Sequence, residues 1–439
     1  MSSRIIRIVT SICALLVAGN SLRAQDGADS QYSPYTVFGV GDLYTQGTSY
    51  DKSKGGVGIA SRNVRFINYL NPAAVTARDT LSFMFDFGLL SENKVFEQNK
   101  LKSANNTFNI NDIVFSVPIY KKLAFMGGIT PFSTVAYDFS HDIVDPSIIG
   151  RTGNIKYSAE GNGSLYQIFG DLGYEVINGL SIGVGAMYIF GNIDKNTQMG
   201  FTDETYRTID SGYKLQLNAM AVNFGVQWEK RLSPSLTMVL GATYRPRTKL
   251  KGYVTDFQYA TVSSVRDTIR NNVDTLGHIG RAKLGDELGI GIAIRGNNKW
   301  SVELDYTRSD WGSTGMDTEV GFANVGNSVF STGVSQSWRA GFEIVPNRND
   351  IRYFMRRCSY RAGAYYNTSY YKLDGSTIGR AGITLGMTIP VFRWYNGLSV
   401  GVDLGQKGNL DGNKTRERYA LVTIGFNIHD LWFQKPRYE

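Results

Sequence analysis

Cysteine is almost missing from this chain. Of 439 residues only Cys13 and Cys358 carry a thiol, and only His141, His278 and His429 carry an imidazole. None of these has the spacing of a metal-ligating motif. Cys13 falls inside an expected leader, so Cys358 has no partner for an internal disulfide. Charged residues make up 19% of the chain, less than the roughly 25% of soluble domains. Proline is sparse, and the basic residues never run to five in a row, which argues against nucleic acid as a partner. Outside the leader no run approaches the roughly 18 apolar residues of a membrane-spanning helix. Ser140-His141-Asp142 is contiguous, whereas a catalytic triad is assembled from distant segments. Gly289-Ile290-Gly291 lacks the following helix of a phosphate-binding loop. The expectation is a protein that is not an enzyme and uses no metal or cofactor.

Glycine and aromatic residues are abundant instead, with 49 Gly, 26 Tyr and 23 Phe. At the N-terminus Arg4 and Arg7 precede the apolar stretch 8–19, and Ala24 offers a cleavage point, as in a secretory leader. Loss of residues 1–24 would remove Arg4, Arg7 and Arg23 and no acid, taking the net charge from +8 to +8 − 3 = +5. Farther on, apolar residues alternate with small or polar ones. Ala420, Val422, Ile424, Phe426 and Ile428 form one such series. Leu180, Ile182, Val184, Ala186, Tyr188 and Phe190 form another, and Leu398, Val400, Val402 and Leu404 a third. Period-two alternation marks strands with one apolar face. About fourteen such segments, beginning near Leu81 and ending after Arg416, predict a transmembrane barrel. The fold class is all-β: an antiparallel up-and-down β-barrel with an N-terminal plug inside its lumen. The expected organisation is leader 1–24, plug 25–79 and barrel 80–439.

Connection lengths support the same reading. After even-numbered strands they are short, as at Tyr120, Glu175, Glu229, Arg295 and Arg393. After odd-numbered strands most are long, including 131–162, 192–212, 247–286 and 310–335. Short turns on one rim and long loops on the other are typical of outer-membrane barrels. Tyr188, Trp228, Tyr244, Trp300, Tyr306, Trp338 and Trp432 lie near strand ends and are expected to form interfacial girdles. The opposite parity places Asp86, Arg295, Glu303, Asp305, Arg339, Glu343, Arg361 and Asp403 in the lumen. Buried charges need partners, and this set is suited to anchoring a plug. Arg245, Arg247, Lys249 and Lys251 share one face near the long-loop rim, where they are candidates for carboxylate or phosphate headgroups or for pairing with loop acids.

Residues 55–75 carry the most specific local signal: Gly55, Gly56, Gly58 and Ala60, then Asn68, then Asn71-Pro72-Ala73-Ala74. Glycine permits sharp turns, Asn71 is suited to closing one and Pro72 fixes its entry angle. This stretch resembles the N-terminal hatch of the FadL/OmpP1 family of outer-membrane transporters for hydrophobic compounds. In that family a Gly/Ala-rich stretch leads to Asn-Pro-Ala-Gly before the first of fourteen strands; the fourth residue here is Ala74. The stretch 241–251 is similar to the family's seventh strand. The resemblance implies a hatch in which Gly56, Gly58, Asn68, Asn71, Pro72 and Ala73 gate the lumen, an integral outer-membrane location in contact with lipid and lipopolysaccharide, and a hydrophobic or amphipathic small molecule as ligand that leaves sideways through the wall. The alternative is an accessory, non-transporting barrel whose partners are proteins of an outer-membrane assembly or secretion machine.

Overall fold

The computed structural model describes residues 32–431, apart from 79–81, 100, 204, 263–264, 275–278, 298, 323–328, 392–395 and 412–413. The leader, Leu81 and the aromatic end at Trp432 lie outside the described residues. Fourteen antiparallel strands form the ring: β1 Ser82–Gln98, β2 Leu101–Tyr120, β3 Leu123–Ile143, β4 Ile155–Ile177, β5 Leu180–Phe201, β6 Thr208–Ser233, β7 Leu236–Arg245, β8 Asp286–Gly296, β9 Trp300–Asp310, β10 Val334–Ile344, β11 Ser359–Leu373, β12 Ser376–Pro390, β13 Gly397–Lys407 and β14 Arg416–Leu431. The last strand pairs with the first, from Ser82 opposite Leu431 to Glu97 opposite Arg416. That closure removes the sheet edges that hydrocarbon does not tolerate.

Lipid-facing alternation is plain in the wall. Along β5, Ile182, Val184 and Tyr188 are exposed while Ser181, Met187 and Ile189 are buried. Exposed Tyr188, Tyr244 and Trp338 lie toward the long-loop rim, and exposed Trp228 and Trp300 toward the short-turn rim.

Three of the expected loops are largely strand, and 247–286 holds the hairpin Lys251–Val262 and Val265–Asp274. Residues 131–162 and 192–212 mostly extend β3, β4, β5 and β6 well beyond the membrane. The physical reason is an inversion of polarity. In β5 the outward positions after Phe190 are Asn192 and Asn196, both exposed, whereas inward Ile189 and Ile193 are fully buried. Above the membrane the outside meets water and the inside becomes a core, so the apolar residues change parity and the alternation looks broken. That core joins Leu165, Ile193 and Leu215 to Phe38, Trp311, Phe330, Tyr370 and Tyr371. Phe38 stacks on Phe330 at 5.2 Å and Trp311 lies 4.4 Å from Tyr370. The result is an apolar cap over the lumen.

Candidate functional site: hatch, lumen cavity and wall gap

The N-terminal segment from Tyr32 occupies the lumen and reaches the wall all round. Two turns shape it. Gly55 and Gly56 have φ of +77° and +73°, a left-handed conformation that glycine adopts without penalty. Asn71 caps the short 3-10 helix Pro72–Thr76: its Oδ1 accepts from the Ala73 N–H at 3.0 Å. The Asn71 Nδ2 donates to the carbonyls of Ile59 and Val226 at 2.8 and 3.2 Å, joining the hatch to itself and to β6. Asn68 holds the preceding loop by donating to the Gly58 and Ser61 carbonyls at 2.6 and 3.0 Å.

Wall glycines let this backbone come close. A Cβ at Gly363 would overlap the Gly55 nitrogen, one at Gly183 the Ala73 nitrogen, one at Gly225 the Asn71 Oδ1 and one at Gly241 the Ile59 carbonyl. Ala73 is fully buried against this ring.

The charged lumen residues meet the hatch at specific points. Glu303 pairs with Lys54 at 2.8 Å, both almost fully buried. Asp305 accepts from the Gly58 and Ile59 N–H groups at 2.6 and 2.9 Å. Arg339 donates to the Gly56 carbonyl at 2.9 Å, and Arg361 to Ser53 Oγ at 2.7 Å. Glu343 accepts from the Tyr50 hydroxyl, over whose ring the Arg361 guanidinium lies at 4.5 Å. Arg295 donates to the Arg62 carbonyl at 2.6 Å and pairs with Glu229 at 2.8 Å. Asp403 instead accepts from the Tyr365 hydroxyl at 2.7 Å and lies 3.8 Å from Arg380. Asp86 is buried beside Asp112.

The rim cations do not form one cluster. Arg245 pairs with Glu287 at 3.2 Å and Arg247 with Asp286 at 3.1 Å, while Lys249 and Lys251 are exposed on separate strands.

Sequence reading missed Lys54, Arg62 and Tyr44. Lys54 sits in Asp51-Lys52-Ser53-Lys54, which reads as a solvated charge run. Arg62 bridges Glu229, Ser181 and Gln227 at 3.0, 3.0 and 3.3 Å, and nothing local marks it.

The wall has a gap. The ladder between β2 and β3 runs from Tyr120 opposite Leu123 up to Ile113 opposite Ile129. Among the described residues no ladder joins these strands above that level. Both lips are irregular there: β2 slips register against β1 between Gly88 and Leu89, and β3 against β4 between Pro131 and Ser133. Pro131 has no N–H to give, and proline is confined to sheet edges and bulges for that reason. Beyond it β3 pairs inward with the hatch, Ser133 opposite Leu43 and Thr134 opposite Asp42. The Tyr44 N–H donates to the Phe132 carbonyl at 3.0 Å.

Two cavities lie on either side of this point. One, of about 280 Å³, lies in the lumen between hatch and cap, with Asp42, Lys407, Glu92 and Arg380 in its lining. The other, of about 1050 Å³, is a groove on the outer surface of the wall across the gap. Tyr44 lines both; its ring is buried in a cluster with Leu90, Tyr419 and Leu421.

A closed fourteen-stranded ring with an N-terminal hatch is the fold of FadL-type barrels. Solved structures bear this out at the level of fold. The Pseudomonas putida toluene transporter TodX aligns with a TM-score of 0.57 at 12% identity, covering 90% of this chain and 100% of that one. The Ralstonia pickettii toluene transporter TbuX gives 0.56 at 13%, covering 87% and 97%. A Pseudomonas aeruginosa FadL homologue gives 0.52 at 11%, covering 89% and 99%. Among curated proteins none matches the sequence. The chain belongs to the BamG family, which matches residues 4–439.

Proposed function

We propose that this protein sits in the outer membrane, with its short-turn rim in the periplasm, and passes small hydrophobic or amphipathic molecules sideways through its wall. The observation that carries this reading is the placement of Tyr44 between the lumen cavity and the outer groove, at the level where β2 and β3 part. A barrel used only as a scaffold has no need of a wall gap with a cavity on each side of one buried side chain. The charged lining of that cavity favours a ligand with a polar end over a bare hydrocarbon. The hatch residues Gly56, Gly58, Asn68, Asn71, Pro72 and Ala73 close the axial route below, and the apolar cap closes it above.

Replacing Tyr44 with Ala is expected to raise the rate at which an amphipathic fluorescent dye crosses proteoliposome walls severalfold, with little change for a hydrophilic sugar. An unchanged dye rate in a correctly folded variant would contradict the gate.

A second reading, a docking subunit of an outer-membrane protein assembly or secretion machine, is favoured by the loop between β10 and β11. It is the longest connection at the short-turn rim, and it is ordered rather than slack. Asp350 accepts from the Arg352 and Tyr353 N–H groups at 2.9 and 2.7 Å. Those N–H groups, Tyr353 foremost, hold its carboxyl below the usual carboxylate range. The loop leaves Ile351 97% exposed and Tyr353 and Met355 about half exposed, beside Arg352 and Arg356. Apolar side chains rimmed by arginine are the composition of interface hot spots. Purification in mild detergent separates the readings: partner proteins in fixed ratio, lost on Ile351→Asp with Met355→Asp, support docking, and an isolated barrel with extractable amphiphile supports passage.

A further inference from the structure

The groove outside the wall gap has a chemistry of its own. Its lining contains carboxamides and aromatic and aliphatic side chains, and no charged residue among the described ones. The polar groups are ordered in a row. Ser164, Asn192, Gln216 and Tyr253 stand opposite one another across β4, β5, β6 and the strand Lys251–Val262. Directly below, toward the membrane, Tyr166 pairs with Phe190, and Tyr188 stacks on Phe190 at 5.7 Å. On the β2 lip the Asn109 amide nitrogen is buried without a hydrogen-bond partner among the described residues. The concavity coincides with three glycines, Gly163, Gly191 and Gly252, each at positive φ. A side chain at any of them would strike a carbonyl of the neighbouring strand.

We infer that this groove binds the uncharged, hydroxyl-bearing head of an amphiphile, with its chain lying along Tyr188 and Phe190 in the outer leaflet. Carboxamides offer both a donor and an acceptor to each hydroxyl, and aromatic faces suit the apolar sides of a sugar ring. A phosphate, sulfate or carboxylate head calls for cationic or convergent N–H donors, and the lining supplies no cation. The inference deepens the passage reading and rests on it for the groove's role as the lipid-side end of the route. Binding is measured separately from flux, so the two fail separately.

The test uses the full barrel in zwitterionic detergent and three photoactivatable probes with the same alkyl chain: a maltoside, a phosphocholine and a sulfate. The maltoside is expected to label peptides containing Tyr188–Asn192 and Gln216–Asn218 severalfold more than the other two. The side chains at Asn192 and Gln216 point outward, so Asn192→Asp with Gln216→Glu preserves shape and folding while adding charge. That variant should lose the maltoside preference and keep its heat-modifiable migration. Equal labelling by all three heads, or maltoside labelling no stronger here than on the wall around Val400–Leu404, overturns the inference. Selective labelling combined with a silent Tyr44→Ala variant would leave the groove standing and remove the passage reading.

Discussion

Lys54→Met is expected to convert a closed barrel into a leaking one. The Lys54 ammonium lies 2.8 Å from Glu303 with both side chains almost completely withdrawn from solvent, and it lies 4.8 Å from the centre of the Tyr50 ring. Removing one member of a buried pair leaves the other charge uncompensated, at about 3–5 kcal/mol. The ring of strands makes its own backbone ladders and does not depend on that pair. The hatch does, because Lys54 sits between the Ser49–Lys52 helix and the Gly55-Gly56 turn. The barrel should therefore survive while the plug loosens. In planar bilayers the wild type is expected to hold a closed baseline and the variant to show frequent ion-conducting openings. Pairing the change with Glu303→Leu should restore closure, since an apolar pair of similar volume replaces a buried ion pair at little cost. A variant as tight as the wild type would show that Lys54 does not hold the plug.

The second large effect is expected at Gly363. A strand accepts valine readily, so Gly363→Val should not harm β11 itself. The Cβ would, however, lie only 2.3 Å from the Gly55 backbone nitrogen, and neither backbone has a side chain to move aside. Gly55 is already in the left-handed region, so the turn has little freedom to yield. The hatch should fail to seat, giving openings like those of the Lys54 variant with normal heat-modifiable migration of the barrel. Gly200→Val is the matched control. A Cβ there meets only the Lys156 carbonyl, at 3.9 Å, and the variant is expected to stay closed. If Gly363→Val is also silent, the wall glycines do not serve the hatch.

The strands were legible wherever one face meets lipid. Leu180 to Phe190 alternate because hydrocarbon on one side and a wet, plugged lumen on the other impose opposite demands on neighbouring residues. The same rule made the upper halves of β3 to β6 illegible. There the outside is water and the inside is core, so Asn192 faces out and Ile193 in, and a scan for outward apolar residues reads a loop. Of the stretch 241–251 only 241–245 lies in β7, which ends at Arg245 before Pro246; the rest leaves the wall. The wall glycines, Gly183, Gly225 and Gly363 among them, read as room in the lumen. In the folded protein each is filled by atoms of the hatch, a contact that depends on residues far away in sequence. The polar residues Asp86 to Asp403 were recognisable by parity, but their partners were not, because Lys54 and Arg62 lie in a segment without period. The gap was the least legible feature. Pro131 marked the end of regular pairing, yet only the register of β2 against β3 shows that the ladder stops while both strands continue.

The route proposed for amphiphiles runs between β2 and β3. It is tested most directly by closing that route reversibly. In a Cys358→Ser background, Asn109→Cys on one lip and Thr130→Cys on the other are bridged with a short cleavable bis-maleimide, and entry of an amphipathic dye into proteoliposomes is followed before bridging, after bridging and after cleavage. Bridging is expected to stop entry and cleavage to restore it. Entry at an undiminished rate through the bridged barrel would contradict the proposed route.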